Sequence, residues 1–98
     1  MLFGFLDGSP ATAADEVSHS LGIAFVLHDS LWRGGDYYLY EAGSEEIIIQ
    51  RNNDGGAPDD PAEDSFPEYP VLMYVQTDRS EELMAILGTC RSRPRLLR

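Results

Sequence analysis

An α+β fold, with two helices packed on one face of a mainly antiparallel sheet, is what this sequence predicts, and three observations carry the prediction. Apolar residues recur at helical spacing in two places, Ala14-Val17-Leu21 and Leu83-Ile86-Leu87-Cys90, one near each end of the chain. Between them the spacing changes to the period of two that marks strands, punctuated by the glycine turns Gly34-Gly35 and Gly43-Ser44. The resulting order, β-α-β-β-β-β-α, lacks the regular strand-helix alternation of a parallel sheet. With 98 residues, 43% of them apolar, the chain fits one two-layer domain with a modest core.

Leu2 to Leu6 reads as a short strand, ended by the turn residues Asp7, Gly8, Ser9 and Pro10. Thr12 with Asp15 forms a candidate capping box for the first helix, and Gly22 supplies its stop. A three-stranded meander follows over about 24–33, 36–42 and 45–51. If both glycine turns hold two residues, Arg33 faces Asp36, Trp32 faces Tyr37 and Asp29 faces Tyr40, while Tyr40 faces Ile47 and Tyr38 faces Ile49. One side then gathers Phe25, Leu27, Leu31, Tyr38, Tyr40, Ile47 and Ile49, with Asp29 requiring a buried partner. The opposite side gathers Val26, His28, Ser30, Trp32, Tyr37, Leu39, Glu41, Glu46, Ile48 and Gln50, a half-apolar face that is either capped by the acidic loop folding over it or left bare for a partner. Residues 71–77 form a buried strand. Asp78 with Glu81 is a candidate cap for the last helix, and residues 91–98 are expected to be a mobile basic tail beyond a domain spanning 1–90.

Charge separates along the chain. All seventeen acids precede residue 91 and share that stretch with three arginines, whereas Arg91, Arg93, Arg95 and Arg98 close the sequence; no lysine is present. Six carboxylates, Asp54, Asp59, Asp60, Glu63, Asp64 and Glu68, crowd an acidic loop at 52–70 that holds no basic residue. A net charge of −10 disfavours nucleic acid and anionic membranes as partners and favours a basic protein surface. The single cysteine, Cys90, excludes an internal disulfide, and the start has no basic region before its short apolar run, so a cytoplasmic location is the default expectation.

Candidate chemistry is sparse. His28, Asp29 and Ser30 are the residue types of a hydrolase triad, but strand alternation sends Asp29 to the face opposite the other two. In the two-residue register His28, Glu41 and Glu46 line up across three strands, which raises a metal-dependent hydrolase as a third-ranked alternative beside a solvated face. Glu16 and His19 have a di-iron spacing without the four helices it requires. Asn52, Asp54, Asp60 and Glu63 match four positions of a calcium loop, whose required glycine is replaced by Ala57. No cofactor is expected. Within the acidic loop Phe66 and Tyr69 interleave with carboxylates, the composition of a binding surface as much as of a solvated loop.

Three segments, Ser30 to Tyr38, Ile47 to Asn53 leading into the acidic loop, and Tyr69 to Val75 before the last helix, resemble the small acidic immunity proteins of bacterial polymorphic and contact-dependent growth inhibition toxin systems. That resemblance implies a non-enzymatic inhibitor of a basic, nuclease-like toxin. Its carboxylates at Asp54, Asp59, Asp60, Glu63, Asp64 and Glu68 would take the place of substrate phosphates, with Trp32, Tyr37 and Phe66 as apolar anchors. The alternative is a regulatory interaction domain without a toxin partner, self-associating as a homodimer through the bare sheet face.

Overall fold

The computed structural model describes residues 1–30, 35–52, 62–63 and 65–98. Its strands are β1 (Leu2–Phe5), β2 (Val26–Ser30), β3 (Gly35–Ala42), β4 (Glu45–Arg51), β5 (Val71–Gln76) and β6 (Arg95–Leu96), and its helices are α1 (Pro10–Leu21) and α2 (Ser80–Leu87). The strands form one antiparallel sheet in the order β2-β3-β4-β5-β1-β6, so the expected α+β architecture holds, with a sixth strand added. No helix among the described residues is long and apolar enough to cross a membrane.

Alternation decides what each face buries. Phe3, Phe5, Ile47, Ile49, Val71, Met73 and Val75 point to one side, where they meet Ala13, Ala14 and Val17 of α1, Leu83 and Leu87 of α2, and Cys90 beyond its end. Each fully buried Leu, Ile or Phe contributes roughly 1.5–3 kcal/mol to this layer. Cys90 acts there as a small apolar side chain, its Sγ 3.2 Å from Ser20 Oγ. On the opposite face Leu2, Leu72 and Tyr69 form a second, smaller cluster with Ala62, Phe66, Tyr74 and Leu97 packed against it. Gly4 makes room for it: a Cβ there would lie 2.5 Å from the Tyr69 ring.

The two hairpins behave differently. Within the Gly43-Ser44 turn only Gly43 takes a positive φ, 60°, as the first position of a two-residue type II′ turn requires, and the resulting pairs Tyr40–Ile47 and Tyr38–Ile49 are the expected ones. In the first hairpin Gly35 joins the ladder instead of turning, so Ser30 pairs with Gly35, Asp29 with Asp36, His28 with Tyr37 and Leu27 with Tyr38. The register slides by four from expectation. Because four is even, every side chain keeps its face. Asp29 is exposed rather than buried with a partner.

Both helix starts differ from the expected boxes. Pro10 occupies the first helical position, so Ser9 is the cap of α1: its Oγ accepts from the Thr12 amide at 3.2 Å, and the Ser9 amide donates to Thr12 Oγ1 at 2.9 Å. Gly22 ends the helix in the left-handed conformation, as expected. At α2, Asp78 does not cap, because its carboxylate accepts the Ser44 hydroxyl at 2.6 Å; Arg79 stands at the cap position without a side-chain cap bond.

The C-terminal segment is the largest correction. Arg95–Leu96 pairs with Phe3 and Gly4 of β1, the Leu97 amide donates to the Leu2 carbonyl at 2.8 Å, and the Leu2 amide donates to the Arg98 carbonyl at 2.9 Å. The expected free tail is thus an edge strand. It satisfies backbone groups that β1 would otherwise leave open, and it brings Leu97 onto the second cluster.

Candidate protein-binding surface

The acidic loop leaves β4 and returns to β5 through one asparagine. The Asn52 amide donates to the Pro70 carbonyl at 2.9 Å, its Nδ2 donates to the Phe66 carbonyl at 2.9 Å, and its Oδ1 accepts from the Glu63 amide at 3.0 Å. Asn52 therefore clamps the loop mouth, where the sequence offered it as a calcium-loop position. Of the expected site residues, Trp32, Asp54, Asp59, Asp60 and Asp64 lie outside the described residues. Tyr37, Glu63, Phe66 and Glu68 lie within them.

Glu63 is engaged by the chain itself. Arg98 holds it bidentately, with Nη2 to Oε1 at 2.9 Å and Nη1 to Oε2 at 3.1 Å, and the Tyr74 hydroxyl donates to Oε1 at 2.8 Å. These bonds, with Arg98 first, hold its carboxyl below the usual range against the opposing effect of burial. Phe66 packs edge-on to Tyr69, ring centroids 6.5 Å apart, over Leu2 and Leu72. It is a lid on the core rather than an exposed anchor. Glu68 remains exposed.

Tyr37 lies on β3 of the same non-helical face, opposite Gln50, which in turn lies opposite Leu72 of the second cluster. Its ring stacks on His28 at a centroid distance of 5.3 Å and an interplanar angle of 17°. Val26 lies beside the stack on β2, 59% exposed, with Leu39 opposite on β3. Farther along, Glu41 pairs directly with Glu46. Like charges set opposite each other in a ladder disfavour the strand pair and favour a cation laid across them. Glu46 also lines a shallow depression with Tyr74, Gln76 and Arg98, which joins this part of the face to the part that the second cluster covers.

The register removes the geometry on which a hydrolase reading stood. His28 sits opposite Tyr37, four residues along β3 from Glu41, roughly 13 Å at strand spacing. Among the described residues no three His, Cys, Asp or Glu side chains come close enough to hold a metal ion.

Two charged residues that the sequence left unassigned organise the far end of the sheet. Arg79 bridges from the start of α2 to Glu45 at the start of β4, Nε to Oε1 at 2.8 Å and Nη2 to Oε2 at 2.9 Å, while Thr77 donates to Oε1 at 2.7 Å. The arginine first and the hydroxyl second hold the Glu45 carboxyl down at about 2. The Asp78–Glu81 spacing suggested a side-chain cap that α2 does not form; Glu45 at a hairpin corner, far in sequence from Arg79, carried no local pattern to find. No protein-family model, curated protein or solved structure matches this chain.

Proposed function

We propose that this chain is a non-enzymatic protein-binding module that neutralises a basic protein, a nuclease-like toxin domain being the partner class that fits best. The observation that supports this most is the outer part of the non-helical face, where the stacked His28–Tyr37 pair, exposed Val26 and the Glu41–Glu46 pair lie on a chain of net charge −10 and no described helix packs. Aromatic and aliphatic side chains there provide anchors, and flanking carboxylates provide steering toward arginines and lysines. The immunity proteins that the sequence resembles act by this charge logic. Trp32 and the carboxylates Asp54, Asp59, Asp60 and Asp64 stay in the proposal on their sequence positions alone. Glu63 and Phe66 leave it, because Arg98 and the second cluster already engage them.

The self-associating alternative requires two copies of net charge −10 to meet on this face, which electrostatics opposes at low salt. Co-expression with the protein encoded by the adjacent gene, followed by pull-down and a growth-protection assay, tests the proposal. A stable complex and protection from toxicity are expected; no complex and no protection reject the toxin reading. A concentration-dependent dimer in sedimentation, without a partner, selects self-association instead.

A further inference from the structure

The outer edge of β2 forms one side of the sheet. Among the described residues nothing pairs with it, and β2 ends the strand order. The two-residue turn at Gly43-Ser44 sets the phase of the hydrogen bonds: a closing pair such as Ala42–Glu45 exchanges them, so alternate residues of β3 point toward β4 and the rest toward β2. Val26, His28 and Ser30, paired with Leu39, Tyr37 and Gly35, therefore direct their backbone groups at β3. The N–H and C=O groups of Leu27 and Asp29 are left for the free edge. Val26 and Leu27 are 59% and 54% exposed on the two faces of this strand, and β2 carries neither lysine nor proline, the usual devices against strand addition.

We infer that the β2 edge accepts an extended basic segment of the partner as an added strand, an inference that rests on the basic-partner reading above. Charge complementarity selects the occupant. Asp29 faces Asp36 across the first ladder and Glu41 faces Glu46 across the next, while residues 26–30 and 35–42 contain no lysine or arginine. A second copy would set its own acids against these pairs, and its basic edge, β6, is only two residues long. A strand with alternate lysines or arginines would satisfy the free backbone groups, lay its cations over Leu27 and beside Asp29 and Asp36 on one face, and set its intervening side chains against Val26 on the other.

Amide hydrogen exchange on the full chain, with a capped peptide of alternating lysine and valine and its glutamate counterpart as probes, tests the inference. The lysine peptide is expected to slow exchange at Leu27 and Asp29 roughly tenfold or more, and the glutamate peptide to leave both unchanged. Equal protection by both peptides overturns the charge selection, and protection that grows with protein concentration alone makes a second copy the occupant. Leu27→Pro removes only an outward N–H, so the variant is expected to fold and to bind the adjacent-gene protein at least tenfold more weakly. Undiminished binding by Leu27→Pro overturns the edge while leaving the basic-partner reading intact; failure of the wild type to bind that protein rejects the latter. If the variant does not fold, the wild-type exchange decides.

Discussion

Gly4 and Glu45 show how single residues set this structure. A Cβ on Gly4 would meet Tyr69 at 2.5 and 2.6 Å and Leu97 at 2.8 Å, so Gly4→Ala must move a ring that closes the second cluster. A loss of about 1–3 kcal/mol in a urea melt is expected. Glu45 tests electrostatics. Its folded carboxyl titrates at about 2 against an ordinary value of 4.5, so its contribution is present above pH 4.5 and disappears as the pH falls toward 2. Glu45→Gln is expected to be less stable by about 1 kcal/mol at neutral pH, reduced by solvent screening of the partly exposed arginine, and to match the wild type near pH 2 in denaturant melts. A constant difference across that window would assign the loss to packing instead of the Arg79 pair.

Among the elements, legibility followed the reach of the signal. The second hairpin was readable because its two-residue turn and its register are local, and the alternating Tyr38, Tyr40, Ile47 and Ile49 point to one core. The first was not, since Gly34-Gly35 looks the same whether Gly35 turns or pairs, and the choice depends on the rest of the sheet. The acidic loop misled for a related reason: Phe66 beside carboxylates suggests an interface, but the apolar surface it covers, Leu2 and Leu72, lies far away in sequence. Gly4 inside an otherwise apolar strand was the available hint that something approaches closely. Strand β6 had none, because two residues carry no period. Its role is measurable: Arg98→Ala is expected to raise the Glu63 carboxyl pKa toward the ordinary value in an NMR titration, since Arg98 is the main cause of the lowering. An unmoved titration would mean that the Tyr74 hydroxyl suffices.

At the scale of the whole molecule, charge is distributed with a purpose that the fold makes more specific. One terminal arginine is used internally at Glu63, which removes that carboxylate from any simple electrostatic patch. Among the described residues the β2 edge and the acid pairs Asp29–Asp36 and Glu41–Glu46 are the features on which the proposed interface rests. Association with a basic partner should slow steeply with added salt, with Glu41→Gln together with Glu46→Gln lowering the on-rate and Tyr37→Ala raising the off-rate in surface-binding kinetics. Sequence alone suggested a basic partner but not this proposed location, because the location depends on which carboxylates the chain satisfies for itself. The most direct measurement is amide exchange across the whole chain, free and in complex with the protein encoded by the adjacent gene. New protection confined to β2, β3 and the residues beside them is the predicted result. A complex that protects only α1, α2 or the β6 edge, and leaves Leu27, Asp29 and Tyr37 exchanging as in the free chain, would contradict it.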